Sequence, residues 1–305
     1  MKKVRVHSPA TVANLVCGFD ILGMALSAPY DIMDLVLTEQ PGIIIHNEDE
    51  FGLPTDPEKN VAGVVLLSVL EKIQQPIGFD LTIKKQIKPG SGIGSSAASA
   101  AGAAVAANHL LGNIFSTDEM VLLAMNGEKL ASGVKHADNI TPCIKGGISL
   151  IRSIHPLDII SIPAPDLYVT IVHPQIEVRT SDAREILRQQ VMLKDAIKQW
   201  GNIAGLVTGF IQKDHDLISR SLEDVIIEPV RSILIPGFDE VKKCSLEAGA
   251  LGGGISGSGP SVFMLSKDES TAIQVESVMK DVYNRIGIDY HTYVTTINHK
   301  GVEIL

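Results

Sequence analysis

Polar and apolar residues alternate from Lys3 to His7 (K-V-R-V-H), a period of two that predicts a strand. The following S-P-A-T-V-A-N-L-V-C-G-F-D breaks the alternation and predicts a loop or short helix. Asp31 to Glu39 and Ile43 to His46 read as strands, with Pro41 and Gly42 marking the turn between them. Asn60 to Gln74 is an apolar helix, and Phe79 to Gln86 alternates again before K-P-G-S-G-I-G-S-S-A-A-S at 88–99. An Ala-rich helix runs on to Leu111, and Thr117, Asp118 and Glu119 start another that Gly133 ends. V-K-H-A-D-N-I-T-P reads as a polar loop before the strand I-S-L-I-R-S-I. From Pro163 the pattern restarts with the strand L-Y-V-T-I-V-H. Helices then fall at about Ser181–Gln190, Met192–Ile211, His215–Ser221 and Phe238–Ala248, with a strand at 261–265. Ala272, Val275, Val278, Met279, Val282, Tyr283 and Ile286 mark one helix face, and strands close the chain at H-T-Y-V-T-T and V-E-I-L. The order predicts an α+β protein of two domains, residues 1–160 and 161–305.

Composition narrows the partners. The 305 residues are 45% hydrophobic and only 4% aromatic, so Val, Ile, Leu and Ala must fill the core, and the net charge of -9 argues against duplex nucleic acid. A small molecule is the expected partner. Cys17, Cys143 and Cys244 are odd in number and far apart, which suggests neither a disulfide framework nor a zinc knuckle. No apolar leader or membrane-length run stands out, so a cytoplasmic protein with no membrane association is expected.

The stretch from Lys88 carries the clearest chemistry. Gly90, Gly92 and Gly94 free the backbone to wrap an anion, and Ser95 and Ser96 stand where a helix N-cap is expected. Unpaired amides and the macrodipole make such a helix start an anion site. It is neither a Walker A loop, which needs Gly-Lys at the helix entry, nor a dinucleotide fingerprint. A Gly-rich turn before a tightly packed Ala helix is the other reading. The formal G-x-G-x-x-G at Gly252, Gly254 and Gly257 has a helix before it and a strand after Pro260, the wrong context for a nucleotide fingerprint. It reads either as a loop packed against the first domain's loop or as a simple turn.

Other side chains have two readings each. Glu128 with Ser96 could hold Mg²⁺ beside phosphates, or face solvent. His136, Asp138 and Asn139 suit acid–base or hydrogen-bonding work, or an Asx turn. Arg184 and Arg231 could grip a carboxylate bidentately. Alternatively, Arg184 is a surface residue of a helix capped by Thr180 or Ser181, and Arg231 pairs with Glu228 or Asp224. Asn14 and Asp20 are turn residues, or contacts for an ammonium and a hydroxyl.

Taken together, S-P-A-T-V-A-N-L-V-C-G-F-D-I-L-G, P-G-S-G-I-G-S-S-A-A-S and G-G-G-I-S-G-S-G-P-S resemble the three motifs of the GHMP small-molecule kinases. Within that superfamily the resemblance is closest to the homoserine kinases, through G-E-K-x-A-S-G-x-x-H-x-D-N at 127–139, T-S-D-A-R at 180–184 and E-P-V-R-S-I-L-I-P-G-F at 228–238. It implies an N-terminal domain like the second domain of ribosomal protein S5, a ferredoxin-like C-terminal domain, and ATP-dependent phosphorylation of L-homoserine on the route to threonine. By the same resemblance the triphosphate lies on Pro89, Gly90, Ser91, Gly92, Ile93, Gly94, Ser95, Ser96, Ala97 and Ala98, with adenine near Asn60 and Lys88. Mg²⁺ falls to Ser96 and Glu128. Homoserine falls to Asn14, Asp20, His136, Asn139, Arg184 and Arg231, and Thr180 sits near the transferring phosphate. A homodimer is possible. Asn139 occupies the slot where mevalonate kinase and galactokinase carry a catalytic aspartate, which leads us to expect alignment of the hydroxyl rather than a carboxylate base. The alternatives are a sister kinase acting on another small alcohol and a catalytically silent nucleotide-binding regulator.

Overall fold

The structure is a computed structural model that describes residues 2–305, with the side chain of Ser132 left undescribed. In chain order the elements are β1 (Lys3–Ala13), β2 (Leu22–Thr38), β3 (Gly42–Asn47), α1 (Val61–Ile73), β4 (Gly78–Lys84), α2 (Ser95–Leu110), α3 (Thr117–Ser132), α4 (Ile140–Lys145), β5 (Ile148–Ile154) and β6 (Leu157–Ile162). There follow β7 (Tyr168–Pro174), α5 (Thr180–Glu185), α6 (Leu193–Gln212), α7 (His215–Ser221), α8 (Glu228–Arg231), α9 (Phe238–Glu247), β8 (Gly252–Ile255), β9 (Val262–Ser266), α10 (Glu269–Ile286), β10 (Tyr290–Thr296) and β11 (Glu303–Ile304).

The first sheet has the order β11-β1-β2-β4-β3. β5 joins it on the early part of β2, at Leu22–Met24, and β6 joins β5. β2 can serve two partners because it is 17 residues long: its later part, from Ile32, pairs antiparallel with β4. Helix α2 lies against β1 and β2, flanked by α1, α3 and α4. Its alanines are buried throughout, and at Gly102 an added Cβ would stand 2.4 Å from Met33 Sδ, so small residues let the helix axis approach the sheet. The second sheet has the order β10-β7-β9-β8, all antiparallel, and the β-α-β-β-α-β sequence of a ferredoxin-like unit, with α5 to α9 filling the first crossover. Val275, Met279, Val282 and Tyr283 on α10 pack over it against Val172, Val262 and Met264.

A single hydrophobic cluster joins the units, since Val169, Ile171, Phe263 and Leu265 belong to the same core as Leu26 and Ile297. β6 extends to Ile162 in the first sheet, and β11 returns there from the far end of the chain, pairing with β1 at Val6 and His7. The 1–160 and 161–305 division therefore leaves out these two connections. Among the described residues no helix is long and apolar enough to cross a membrane.

Several local expectations need correction. β1 continues through Ser8–Ala13, because a register shift between Pro9 and Thr11 absorbs the proline without ending the strand. β2 starts nine residues before the expected Asp31, its alternation hidden by Ser27, Ala28 and Pro29. The polar loop before β5 ends in the short buried helix α4, and Gly252–Ile255 form a strand rather than part of a turn.

Candidate active site

A cavity of about 350 Å³ opens where β1, the loop before α2, α3 and the second domain meet, within the size range of small-ligand sites. The loop forms one wall. Gly90, Gly92 and Gly94 all have φ between 72° and 83°, in the left-handed region, and at Gly92 a Cβ would lie 2.5 Å from the carbonyl oxygen of Gly259. Here glycine is required both by conformation and by the approach of another backbone.

The serines do not cap α2. Gly94 is the N-cap and no side chain bonds to it; Ser95 Oγ donates to Ile87 O at 2.8 Å, and Ser96 Oγ donates to Glu128 Oε2 at 2.8 Å. With no side-chain cap, the first turn of a 16-residue helix keeps its amides for a ligand, and the macrodipole favours an anion there. Ser96 and Glu128 present oxygen donors beside that point, chemistry that fits a hard divalent cation. Among the described residues no group of three or more His, Cys, Asp or Glu side chains could hold a metal, so such an ion would complete its shell with phosphate oxygens and water.

Another part of the lining carries two arginines. Arg184 grips Asp20 through Nη1 to Oδ2 at 3.1 Å and Nη2 to Oδ1 at 2.9 Å, and Nη2 also donates to His136 Nε2 at 3.1 Å. His136 accepts there, so its other nitrogen carries the proton. Burial, reinforced by Arg184 and Arg231, lowers its pKa against the pull of Asp20. Arg184 Nε is buried without a partner, a donor left for an incoming acceptor. Arg231, only 3% exposed, donates to Ala183 O at 2.8 Å and Gly257 O at 3.1 Å, so it pairs with neither Glu228 nor Asp224. Burial first, and Arg184 next, bring its pKa down to about 10, leaving it charged at neutral pH. Both guanidinium groups lie over Phe19, at 5.5 and 4.8 Å from the ring centroid.

Asn14 and Asp20 are shaped by strain. Asn14, Leu15 and Val16 are successive positive-φ residues, which costs about 1–2 kcal/mol each for side-chain-bearing residues. The turn aims Asn14 Nδ2 at Gly257 O (2.9 Å), while Asn14 Oδ1 accepts from Asp20 N (3.1 Å). Asn139 Oδ1 accepts from Thr11 Oγ1 at 2.7 Å, which leaves its amide NH₂ as a donor. The fully buried Asp138 accepts from Asn139 N at 3.1 Å; burial, with Asp20 and Glu128 adding negative charge, pushes its carboxyl up to about 7. Thr180 lies 3.3 Å, oxygen to oxygen, from Ser258; the N-cap of α5 is Arg179, so neither Thr180 nor Ser181 caps it.

The cavity is lined by Asn14, Asp20, Asn60, Pro89, Gly90, Gly92, Gly94, Ser95, Ser96, Glu128, His136, Asn139, Thr180, Arg184 and Arg231. Ser91, Ile93, Ala97 and Ala98 are buried outside that lining. Lys88 is also outside it and donates across the domains to Gln175 Oε1 at 2.6 Å. Asn60 reaches the cavity, but its side chain caps α1, accepting from Ala62 N and Gly63 N and donating to Pro54 O. The second glycine run packs on the loop as its functional reading required: Ser256 Oγ donates to Gly92 O, and Ser261 Oγ to Ser91 O. Thr11, Phe19 and Ser258 were not singled out from the sequence, although each lies in a motif that was.

Residues 60–147 match the family model described as the GHMP kinases N terminal domain, and 206–285 match GHMP kinases C terminal. The chain is 46% identical to a homoserine kinase of Chlorobium phaeobacteroides and 43% identical to one of Chloroherpeton thalassium, in each case over all of both chains. It superposes on a crystal structure of homoserine kinase from Cytophaga hutchinsonii with a TM-score of 0.96 at 46% identity, covering 100% of this chain and 98% of that one.

Proposed function

The chain belongs to the homoserine kinases of the GHMP kinase family, and on that premise we propose that it transfers the γ-phosphoryl group of ATP to the hydroxyl of L-homoserine inside this cavity. One observation carries the reading: a helix N-terminus without a side-chain cap and two arginines line a single cavity. The first suits a triphosphate and the second an amino-acid carboxylate.

The amides of the loop and of α2 hold the phosphates. Ser96 and Glu128 would hold Mg²⁺, which would supply charge neutralisation at the phosphate oxygens. Homoserine takes its place by entering the Asp20–Arg184 pair: its ammonium meets Asp20, and its carboxylate meets the free Nε of Arg184 together with Arg231. Neutral His136 keeps Arg184 in plane. Asn139, its carbonyl committed to Thr11, donates its NH₂ to the substrate hydroxyl and aligns it, and Thr180 stands by the transferred group. An amide does not take up a proton, so the hydroxyl loses its proton late, to an oxygen of the phosphoryl group it receives, as its bond to phosphorus forms and the bond from that phosphorus to the departing ADP oxygen breaks. A loose transition state places more demand on alignment than on nucleophile basicity. Three unpaired cysteines are in keeping with work in a reducing cytoplasm.

ADP release measured with a panel of small alcohols tests the substrate. L-homoserine is expected to give the highest kcat/KM, and alcohols lacking the carboxylate are expected to fall by at least tenfold. Equal turnover of a carboxylate-free alcohol removes the role given to the arginines.

A further inference from the structure

Two charges lie wholly inside the protein beneath the phosphate loop. The Lys85 side chain is 2% exposed and that of Asp31 0%, and they form an ion pair. Each partner makes further bonds, all to residues at the two ends of the loop. Asp31 Oδ1 accepts from Gln86 N at 2.9 Å and Ile87 N at 3.0 Å, the residues by which the chain enters the loop. Lys85 Nζ donates to Ser95 O at 2.9 Å and Ser99 Oγ at 2.9 Å, on the first turn and a half of α2, where the chain leaves it. Ser95 Oγ, donating to Ile87 O, ties the two ends together directly.

An ammonium has three hydrogens, and Asp31, Ser95 and Ser99 use all three, so Lys85 has none left for a phosphate although it lines the back of the cavity. Stability alone is a weak reason for such a pair. Burying two charges is costly, and well-packed apolar residues often do as well or better. β2 and β4 already hold their register through backbone pairing from Ile32↔Lys84 to Thr38↔Gly78, which stops just short of this point. What the pair adds is a fixed distance and orientation between residues 86–87 and the start of α2.

We propose that Asp31 and Lys85 are positioning residues for phosphoryl transfer: the pair clamps both ends of the loop and so aims the free amides of α2 at the triphosphate. The proposal rests on the reading that this loop holds the triphosphate. It places the effect on the phosphates of the nucleotide, and neither on the nucleoside nor on homoserine.

The test is the double variant Asp31→Asn/Lys85→Met, which removes both charges at similar volume, with Ser99→Ala as a milder variant that removes one acceptor. Calorimetry gives Kd for ATP–Mg and for adenosine, and steady-state kinetics give kcat and KM for homoserine. The double variant is expected to bind ATP–Mg at least tenfold more weakly and to lose at least tenfold in kcat, with adenosine affinity and the homoserine KM within about twofold of the parent. Ser99→Ala is expected to weaken ATP–Mg by twofold to fivefold. A lower melting temperature with unchanged ATP affinity and kcat makes the pair purely structural and overturns the proposal, as does an equal loss of adenosine and ATP binding. If the double variant does not fold, unchanged ATP affinity in Ser99→Ala overturns it. Gly90→Ala, whose Cβ meets nothing within 4 Å but whose φ of +75° forces the loop to adjust, separates the two layers. Parent-like ATP binding there removes the loop reading, and the proposal with it. Weakened binding there beside an unaffected double variant removes the proposal alone.

Discussion

Replacing Arg184 by lysine should separate the two substrates. The guanidinium makes three contacts with Asp20 at 2.9–3.1 Å and one with His136, and its Nε has no partner. An ammonium can keep one contact to Asp20 but cannot reproduce the fork or offer a donor where Nε now points. A hydrogen bond to a charged group is worth about 1.5–3 kcal/mol. The side chain is 34% exposed, so screening places the loss near the lower end, about 1.5–2 kcal/mol. That is roughly a 10- to 30-fold rise in the homoserine KM, at 1.36 kcal/mol per factor of ten. Homoserine is varied at saturating ATP–Mg and then ATP–Mg at saturating homoserine, with circular dichroism as the control for folding. The ATP constant is expected to stay within twofold. If it rises tenfold while the homoserine constant holds, Arg184 serves the phosphates and the assignment of the two walls is wrong.

Four further variants probe the remaining parts. Glu128→Gln should keep the fold and lower kcat by about two orders of magnitude or more, since the metal–phosphate assembly loses its carboxylate; near-parental turnover at saturating Mg²⁺ would contradict this. Asp138, with its carboxyl raised to about 7, keeps its proton in the folded state while the unfolded chain releases it near 4, so stability should fall as pH rises through that interval. Asp138→Asn should flatten this fall, seen as a melting temperature less dependent on pH between 4 and 7, and should leave the acidic limb of kcat/KM unchanged. Asn139→Leu should lower kcat/KM at every pH, and the reverse pattern in the two variants would make Asp138 a carboxylate base. Gly92→Ala sets a Cβ 2.5 Å from the backbone of Gly259 at a φ of +83°; it should lower the melting temperature by several degrees and raise the ATP KM, and a silent substitution would mean that the two loops are not held together.

The sequence pattern revealed what is local and periodic. Helix α2 is an alanine run whose burial follows from its composition, and Ser96 and Glu128 meet because each sits on a helix packed against the other. The side chains less well placed are those whose partners lie far along the chain. Lys88 turns to Gln175 of the second domain, and Arg231 to Ala183 and Gly257, choices that the tertiary fold makes between equally plausible acceptors. Ser95 looked like a cap because serine favours that position, but Ile87 O lay within reach and Gly94 could adopt the left-handed cap conformation unaided. The left-handed turn at Asn14–Val16 has no propensity signal, since neither leucine nor valine favours positive φ; only the surrounding packing holds it there.

The most direct measurement is phosphorus NMR of the purified protein with ATP, Mg²⁺ and L-homoserine. A new phosphomonoester resonance should grow in step with ADP, carried by a product whose mass is that of O-phospho-L-homoserine, and it should be absent without homoserine and strongly reduced in Glu128→Gln. ADP accompanied only by inorganic phosphate, at the same rate with and without homoserine, would contradict the account.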